Sequence, residues 1–391
     1  MRFSNTCWCH ISHEILANLA EGFIPDHNYR NRLLLDSACD FSIYRKTKEF
    51  QNLNGLRFIC IAMVLWHHSI PIETDLLNIH LRGFLGVDFF FILSGFLITT
   101  LLLRERSDGS FSIKRFYLRR ALRILPVFFF VVGVVGAYYV FVRGQYEYMR
   151  IWPYYFFFLS NFLSEHIPTL GPTWSLAVEE QYYLIWPLLL ALTPQKHIVP
   201  VLVFLIVVNV LGGMFQTADS GIGFLLLTLK LPGPTYAPIL MGSLLAILLH
   251  NQYVFERMAV YIGGKWAPAI LAVLLFVVIE FPADKLQGLP NLAIHSTMTL
   301  LLASLVVREN TILSPFLTNK HISRVGEVSY GIYLYHLIGL HITNAGLRAI
   351  GIGDGWALLL IYALISYFMA EISYRTLEEF FQRFRHDRMQ G

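Results

Sequence analysis

An arginine and a histidine that share a helical face inside an otherwise apolar run are the residues of this sequence best suited to chemistry. Arg57 and His68 lie eleven positions apart within LNGLRFICIAMVLWHH, residues 53–68. At about 100° per residue, eleven steps make about three turns plus 20°, so the two side chains lie on one stripe with backbones about 16 Å apart. A guanidinium keeps its charge and presents a planar set of donors that suits phosphate. A histidine farther along the helix can act as a general base near neutral pH. His67 points to the other side of the stripe. A plainer reading of the pair is an interfacial positive charge and a hydrogen-bonded packing histidine.

Other charged or titratable residues fall inside apolar segments, where they are costly and tend to face a cavity. They include Asp88, Glu179, Glu180, Glu327, His336, Glu371 and Arg375. Glu179 lies more than a turn inside its segment and is expected to line an active site. Asp88 reads either as a residue that orients the histidine or an acceptor hydroxyl, or as a partnered carboxylate near the interface. His336, with Ser329, Tyr330 and Tyr333 on nearby turns, reads as a ligand-facing residue or as a hydrogen-bond hub. Arg119, Arg120 and Arg123 precede an apolar segment, where positive charge serves topology. Arg120 and Arg123 also share a helix face, which lets both meet phosphates. Ser94 lacks a surrounding G-x-S-x-G pattern, so no serine nucleophile is expected.

The elements that must position these residues are membrane helices. Hydrophobic residues make up 55% of the 391 and charged residues 14%, against roughly 25% charged in ordinary soluble chains. Mean hydropathy is +0.55. A span needs roughly 20 mostly apolar residues, and ten segments qualify or nearly so: 55–71, 83–103, 121–142, 174–193, 197–215, 235–250, 267–281, 291–307, 327–347 and 355–374. The aromatic segment 151–163, with Pro153 and Asn161, reads as interfacial or re-entrant. The expected fold is therefore an all-α integral membrane bundle of about ten transmembrane helices.

With a cytoplasmic N-terminus, twenty-three of the 30 Lys/Arg fall on inside segments and six outside. That asymmetry predicts both termini in the cytoplasm of a multi-pass protein of the inner (plasma) membrane. The basic residues occur in short stretches between apolar runs, which excludes the continuous basic face of a nucleic-acid binder. Residues 1–50 contain no apolar stretch of the signal-peptide kind and are expected to form a loose cytoplasmic tail. Residues 51–380 form the membrane domain, and 381–391 a basic cytoplasmic tail. The run Cys7-Trp8-Cys9-His10, with His13 and Cys39, lacks zinc-finger spacing, so no metal is expected. Repeats that would point to a secondary transporter are not visible.

Several blocks, in order, resemble the acyltransferase-3 family of membrane acyltransferases, which includes bacterial glycan O-acetylases. LNGLRFICIAMVLWHH (53–68) is similar to the family's opening Arg-to-His block, and GFLGVDFFFILSGFLI (83–98) to its second-span signature. FYLRRALRILP (116–126) resembles its basic motif, TWSLAVEEQYYLIWP (173–187) its Trp-Ser-Leu and Glu block, and SYGIYLYHL (329–337) its ninth-span block. YRTLEEF (374–380) resembles the ending without a proline often seen after the glutamate.

The resemblance implies transfer of an acyl group, commonly acetyl from acetyl-CoA, to a hydroxyl of a carbohydrate or glycolipid. Acetyl-CoA or another acyl-CoA would be a co-substrate, with no bound cofactor. Arg57 and His68 carry over as the functional pair, with Glu179 and Asp88 beside them. Arg119, Arg120, Arg123, Trp174, Ser175, Tyr330 and His336 become the expected substrate-binding residues. The competing expectations are a transporter or flippase for a glycolipid or small solute, which also needs buried polar groups, and a silent membrane scaffold.

Overall fold

The computed structural model describes residues 40–69, 78–215, 221–224, 227–230, 235–281, 286–349 and 356–387. The cysteine and histidine run at 7–13, with Cys39, lies outside them. Within the N-terminal stretch, helix α1 (Phe41–Lys46) starts at Asp40, whose carboxylate accepts the Ser42 N–H. Tyr44 of α1 is buried, and its carbonyl receives a 2.7 Å hydrogen bond from the Arg104 guanidinium. Residues 40–50 are thus docked against the bundle, whereas the sequence suggests a loose tail throughout 1–50.

The main helices follow as α2 (Asn52–Ser69), α3 (Leu85–Ser107), α4 (Ile113–Ala137), α5 (Thr173–Leu192), α6 (Gln195–Phe215), α7 (Ala237–His250) and α8 (Gln252–Ile262). They continue with α9 (Ala267–Glu280), α10 (Leu289–Val307), α11 (Lys320–Glu327), α12 (Ser329–Ala349), α13 (Trp356–Ser373) and α14 (Glu379–Asp387). A short antiparallel hairpin, Gly221–Phe224 with Leu227–Lys230, is an addition that the apolar pattern does not announce.

Each of the ten apolar segments is built on a helix, but they do not all have the character of a span. Among the described residues five helices are long and apolar enough to cross a membrane: those beginning at Leu85, Ile113, Gln195, Leu289 and Trp356. The pair α7 and α8, bent by 107°, raises the number to six if it is one span. By length and composition alone this is fewer than the expected ten or so. The 14 residues of α9 rise about 21 Å, short of a hydrocarbon core of about 30 Å. Helices α2, α5 and α12 are long enough but carry Arg57, His67 and His68, Glu179 and Glu180, and His336 and His341. Helices α3 and α4, which bear Ser94, Arg120 and Arg123, also pass as spans, so polar side chains are shared between both kinds of helix. The segment 151–163 is a chain of short turns, Trp152–Phe156 and Ser160–Phe162, with Phe158 at φ 53°. It is anchored on α4 by the Trp152 indole, which donates to the Val132 carbonyl at 3.0 Å.

Two close approaches fix the frame around the polar helices. A Cβ on Gly95 of α3 would lie 1.9 Å from the Ile239 carbonyl oxygen, and one on Gly242 of α7 2.0 Å from that of Ile92. The two backbones touch, the packing that small residues permit inside a bilayer, and this holds Ser94 in register. A Cβ on Gly326 of α11 would likewise meet the Asn54 carbonyl at 1.8 Å. That contact seats the end of α2 that bears Arg57.

Candidate active site

Helices α2, α3, α4, α5 and α12 enclose a cavity of about 510 Å³, within the roughly 300–1,000 Å³ of small-molecule sites. Arg57, Arg120 and Arg123 line it, together with Ser94, Ser175, Glu179, Tyr183, Tyr330 and Tyr333. Lys48, Glu49 and Phe50, at the end of the docked N-terminal segment, complete its wall, as do Glu327, Tyr374 and Glu378.

Arg57 spends one donor locally: its Nη1 gives a 3.2 Å hydrogen bond to Asn54 Oδ1, one turn earlier on α2. Among the described residues no carboxylate forms an ion pair with it. It lies within electrostatic reach of the like charges of Arg120 and Arg123 and of the opposite charge of Glu179. Arg120 stacks over Tyr183, its guanidinium carbon 5.3 Å from the ring centroid, and lies 5.9 Å from the Phe116 centroid. Such stacking orients a guanidinium without consuming its N–H donors. Three arginines that retain donors on one wall make a receptor for phosphate oxygens.

Glu179 faces them from α5. Its Oε1 accepts hydrogen bonds from the hydroxyls of Ser94 on α3 and Tyr183 one turn ahead on α5. These two hydroxyls fix the carboxylate while its edge remains on the cavity. Deeper in, Ser175 Oγ lies 2.7 Å from the Tyr333 hydroxyl, which also donates to the Pro172 carbonyl at 2.9 Å. Tyr330 lines the wall and donates to the Ile124 carbonyl at 3.2 Å.

His68 does not line this cavity. Its Nδ1 is 2.9 Å from the Val64 carbonyl; a carbonyl only accepts, so Nδ1 carries the hydrogen and Nε2 holds the free lone pair. The His68 ring meets His336 edge to face, with centroids 4.8 Å apart. His336 in turn packs 5.3 Å from the Tyr333 ring, and its Nδ1 is bonded to the Tyr333 carbonyl. The order is therefore cavity, Tyr333, His336, His68. Arg57 and His68 share α2, as their spacing requires, but only Arg57 lines the cavity; the Tyr333 and His336 rings stand in line between it and His68.

The remaining expected residues divide. Arg119 is paired with Glu105 and turned from the cavity. Trp174 stands behind the wall, edge-on to Phe91 with centroids 6.3 Å apart. Asp88 meets neither His68 nor the cavity; its Oδ2 is 2.9 Å from Nε2 of the buried His295 on α10. Asn54, Ser94, Tyr183, Tyr333 and His295 join the site or its support without having been singled out as site residues. Asn54 and Tyr183 stand at i−3 and i+4 from Arg57 and Glu179, so helical spacing was the available signal.

At the rim, Arg324 of α11 joins three elements. It binds Glu371 through Nη2 at 2.9 Å and Nε at 3.1 Å, and Glu327 through Nη1 at 2.8 Å. Its guanidinium carbon lies 4.5 Å from the Tyr374 ring centroid.

A family profile described as an acyltransferase domain matches residues 50–374. Peptidoglycan O-acetyltransferase OatA of Listeria monocytogenes is 28% identical over 366 residues, 85% of this chain and 55% of that protein. O-acetyltransferase OatA of Staphylococcus aureus is 28% identical over 362 residues, 83% of this chain and 56% of its own length. The chain thus spans just over half the length of these relatives. No solved structure matches it. The profile covers the cavity arginines on α2 and α4, Glu179 on α5 and the histidines on α2 and α12, and the chain is a member of the acyltransferase-3 family.

Proposed function

We propose that this protein is a membrane O-acetyltransferase that moves an acetyl group from acyl-CoA to a hydroxyl of a carbohydrate polymer or glycolipid. The observation that supports the reading is that Arg57, Arg120 and Arg123 line one cavity together with Glu179. In this reading the diphosphate of the donor meets the arginines, and the pantetheine arm runs inward toward Ser175 and Tyr333. The Tyr333 and His336 rings stand between this cavity and His68, and both must shift for the thioester to reach it.

His68 Nε2 then takes the proton of the acceptor hydroxyl as its oxygen attacks the thioester carbonyl. The new C–O bond forms, the C–S bond breaks, and the proton passes from His68 to the departing CoA sulfur. An acyl-histidine intermediate would use the same lone pair. The names of the OatA relatives favour a cell-wall glycan as acceptor. The charge asymmetry of the loops favours the inner membrane with both termini and the donor cavity on the cytoplasmic side, and hence an even number of crossings. Helices α2, α5 and α12 would cross within the same bundle, their polar side chains turned to one another.

Mass spectrometry of surface glycans from cells with and without the protein tests this. The reading expects the mass increment of one acetyl group only when the protein is present. Identical glycans, with the protein in the membrane, would overturn it and leave transport as the better account.

A further inference from the structure

Arg57, Arg120 and Arg123 share the cavity with a further cation, Lys48, which lines it from the segment ahead of α2. Lys48 is exposed, yet the backbone on either side of it is anchored. The Arg104 guanidinium of α3 donates to the carbonyls of Tyr44 and Thr47 and lies 5.4 Å from the Phe50 ring centroid. Phe50 is buried against Phe96 of α3, with ring centroids 5.6 Å apart, and its carbonyl accepts the Leu53 N–H at 3.1 Å, where α2 begins. No hydrogen bond or ion pair holds the Lys48 ammonium among the described residues. A free ammonium on an anchored backbone is a point charge available to a phosphate.

The position along the cavity says which phosphate. On α2 the order is Arg57 and then His68, so Lys48, which precedes the helix, lies beyond Arg57 on the side away from His68. Ser175 and Tyr333 lie on the histidine side. Outward from the histidines, the cavity therefore offers Tyr333 with Ser175, then the arginines, then Lys48. A CoA thioester carries its groups in the same order: the acyl-pantetheine arm, the diphosphate and the 3′-phosphate of the ribose. That monoester bears about two negative charges at pH 7. The residues that α11 and the C-terminal stretch contribute to the cavity, Glu327, Tyr374, Glu378 and Gln382, include no cation to receive it.

We infer that Lys48 receives the 3′-phosphate of the donor's ribose and makes the protein select CoA thioesters over their 3′-dephospho forms. The inference deepens the reaction proposed above and rests on it. The diphosphate is common to both forms, so the arginines do not tell them apart; Lys48 meets the one group that differs. Being remote from the thioester, the contact is the same before and during transfer and acts on KM, not on kcat. Glu49 also lines the cavity beside an ammonium open to water, so the selection is modest, about three- to tenfold.

Initial rates of ester formation with acetyl-CoA and with acetyl-3′-dephospho-CoA, in membranes holding matched amounts of each variant, test it. The unaltered protein should show a KM about three- to tenfold lower for acetyl-CoA. Lys48→Ala should raise KM for acetyl-CoA to that of the dephospho form, which should itself change less than about twofold, with kcat kept. Lys48→Arg should retain the preference, and Lys48→Glu should reverse it. Lys46→Ala, which removes a nearby exposed charge that does not line the cavity, should leave the preference intact. Equal KM values for the two thioesters in the unaltered protein, an equal rise for both in Lys48→Ala, or loss of the preference in Lys46→Ala would overturn the inference and leave the parent reaction standing. No ester from either thioester would overturn the parent reaction, and the inference with it.

Discussion

The hydroxyls of Ser175 and Tyr333, 2.7 Å apart, join α5 to α12 where the arginine-lined cavity meets the histidine pair. On one side of it are the arginines and Glu179; on the other are the His336 and His68 rings. Ser175 has an alternative acceptor for its single hydroxyl hydrogen in the Pro172 carbonyl, 3.1 Å away, so Tyr333 can leave without stranding it.

Arg57 and Arg119 should therefore behave differently although both are cations near the same family blocks. Arg57→Ala removes charge-assisted bonds worth about 1.5–3 kcal/mol and should raise KM for acetyl-CoA about 10- to 100-fold. Arg119 is committed to Glu105, so Arg119→Ala should leave KM within about twofold. Initial rates across a range of acetyl-CoA concentrations decide the matter; equal effects would contradict the geometry.

Glu179→Ala should destabilise the fold, because it strips two hydroxyls, Ser94 and Tyr183, of their common acceptor. The cost is about 1–3 kcal/mol for each group left unpaired. Glu179→Gln keeps an acceptor oxygen and should unfold close to the unaltered protein, while losing the negative charge opposite the arginines. Thermal unfolding in detergent, followed by tryptophan fluorescence, is the measurement.

Asp88 should prove structural. A double-mutant cycle of Asp88→Asn with His295→Gln is expected to give a coupling energy of about 0.5–3 kcal/mol in unfolding, the range for residues in contact. Acetyl transfer per folded molecule should stay within about threefold of normal. A coupling near zero with a collapse of turnover would instead return Asp88 to the reaction.

Arg324 holds the rim together, and Arg324→Ala should lower stability by about 1–3 kcal/mol, between the values for exposed and buried ion pairs. Hydrogen bonding to Glu371 and Glu327 holds its guanidinium even further above its ordinary range. Alkaline pH therefore does not discharge it, whereas high salt should weaken its less shielded bond to Glu327. Unfolding curves at low and high ionic strength, for the unaltered protein and for the variant, measure both effects.

The helices of this fold were legible because apolar runs of span length leave few alternatives. The character of those helices was not. Helices α2, α5 and α12 look less like spans because they carry Arg57 and His68, Glu179, and His336, whose company is one another and not lipid. On the single-helix scale the sequence was partly informative: Arg120 and Arg123 share a face and both reach the cavity, but Arg119 lies only about 40° from Arg123 and turns to Glu105 all the same. Partners on different helices were beyond reach. Asp88 finds His295 207 positions away, and Glu179 finds Ser94 85 away, through packing that no local spacing encodes. The placement of the Tyr333 and His336 rings between the cavity and His68 is of the same kind.

The central claim is that acetyl leaves CoA and becomes an ester through His68. Membranes incubated with acetyl-labelled acetyl-CoA, then extracted and treated with mild base, test it most directly. The unaltered protein should yield base-labile label on glycan or glycolipid, and His68→Ala at equal abundance should yield only background. Equal ester-linked label from both, or none from the unaltered protein, would contradict the account.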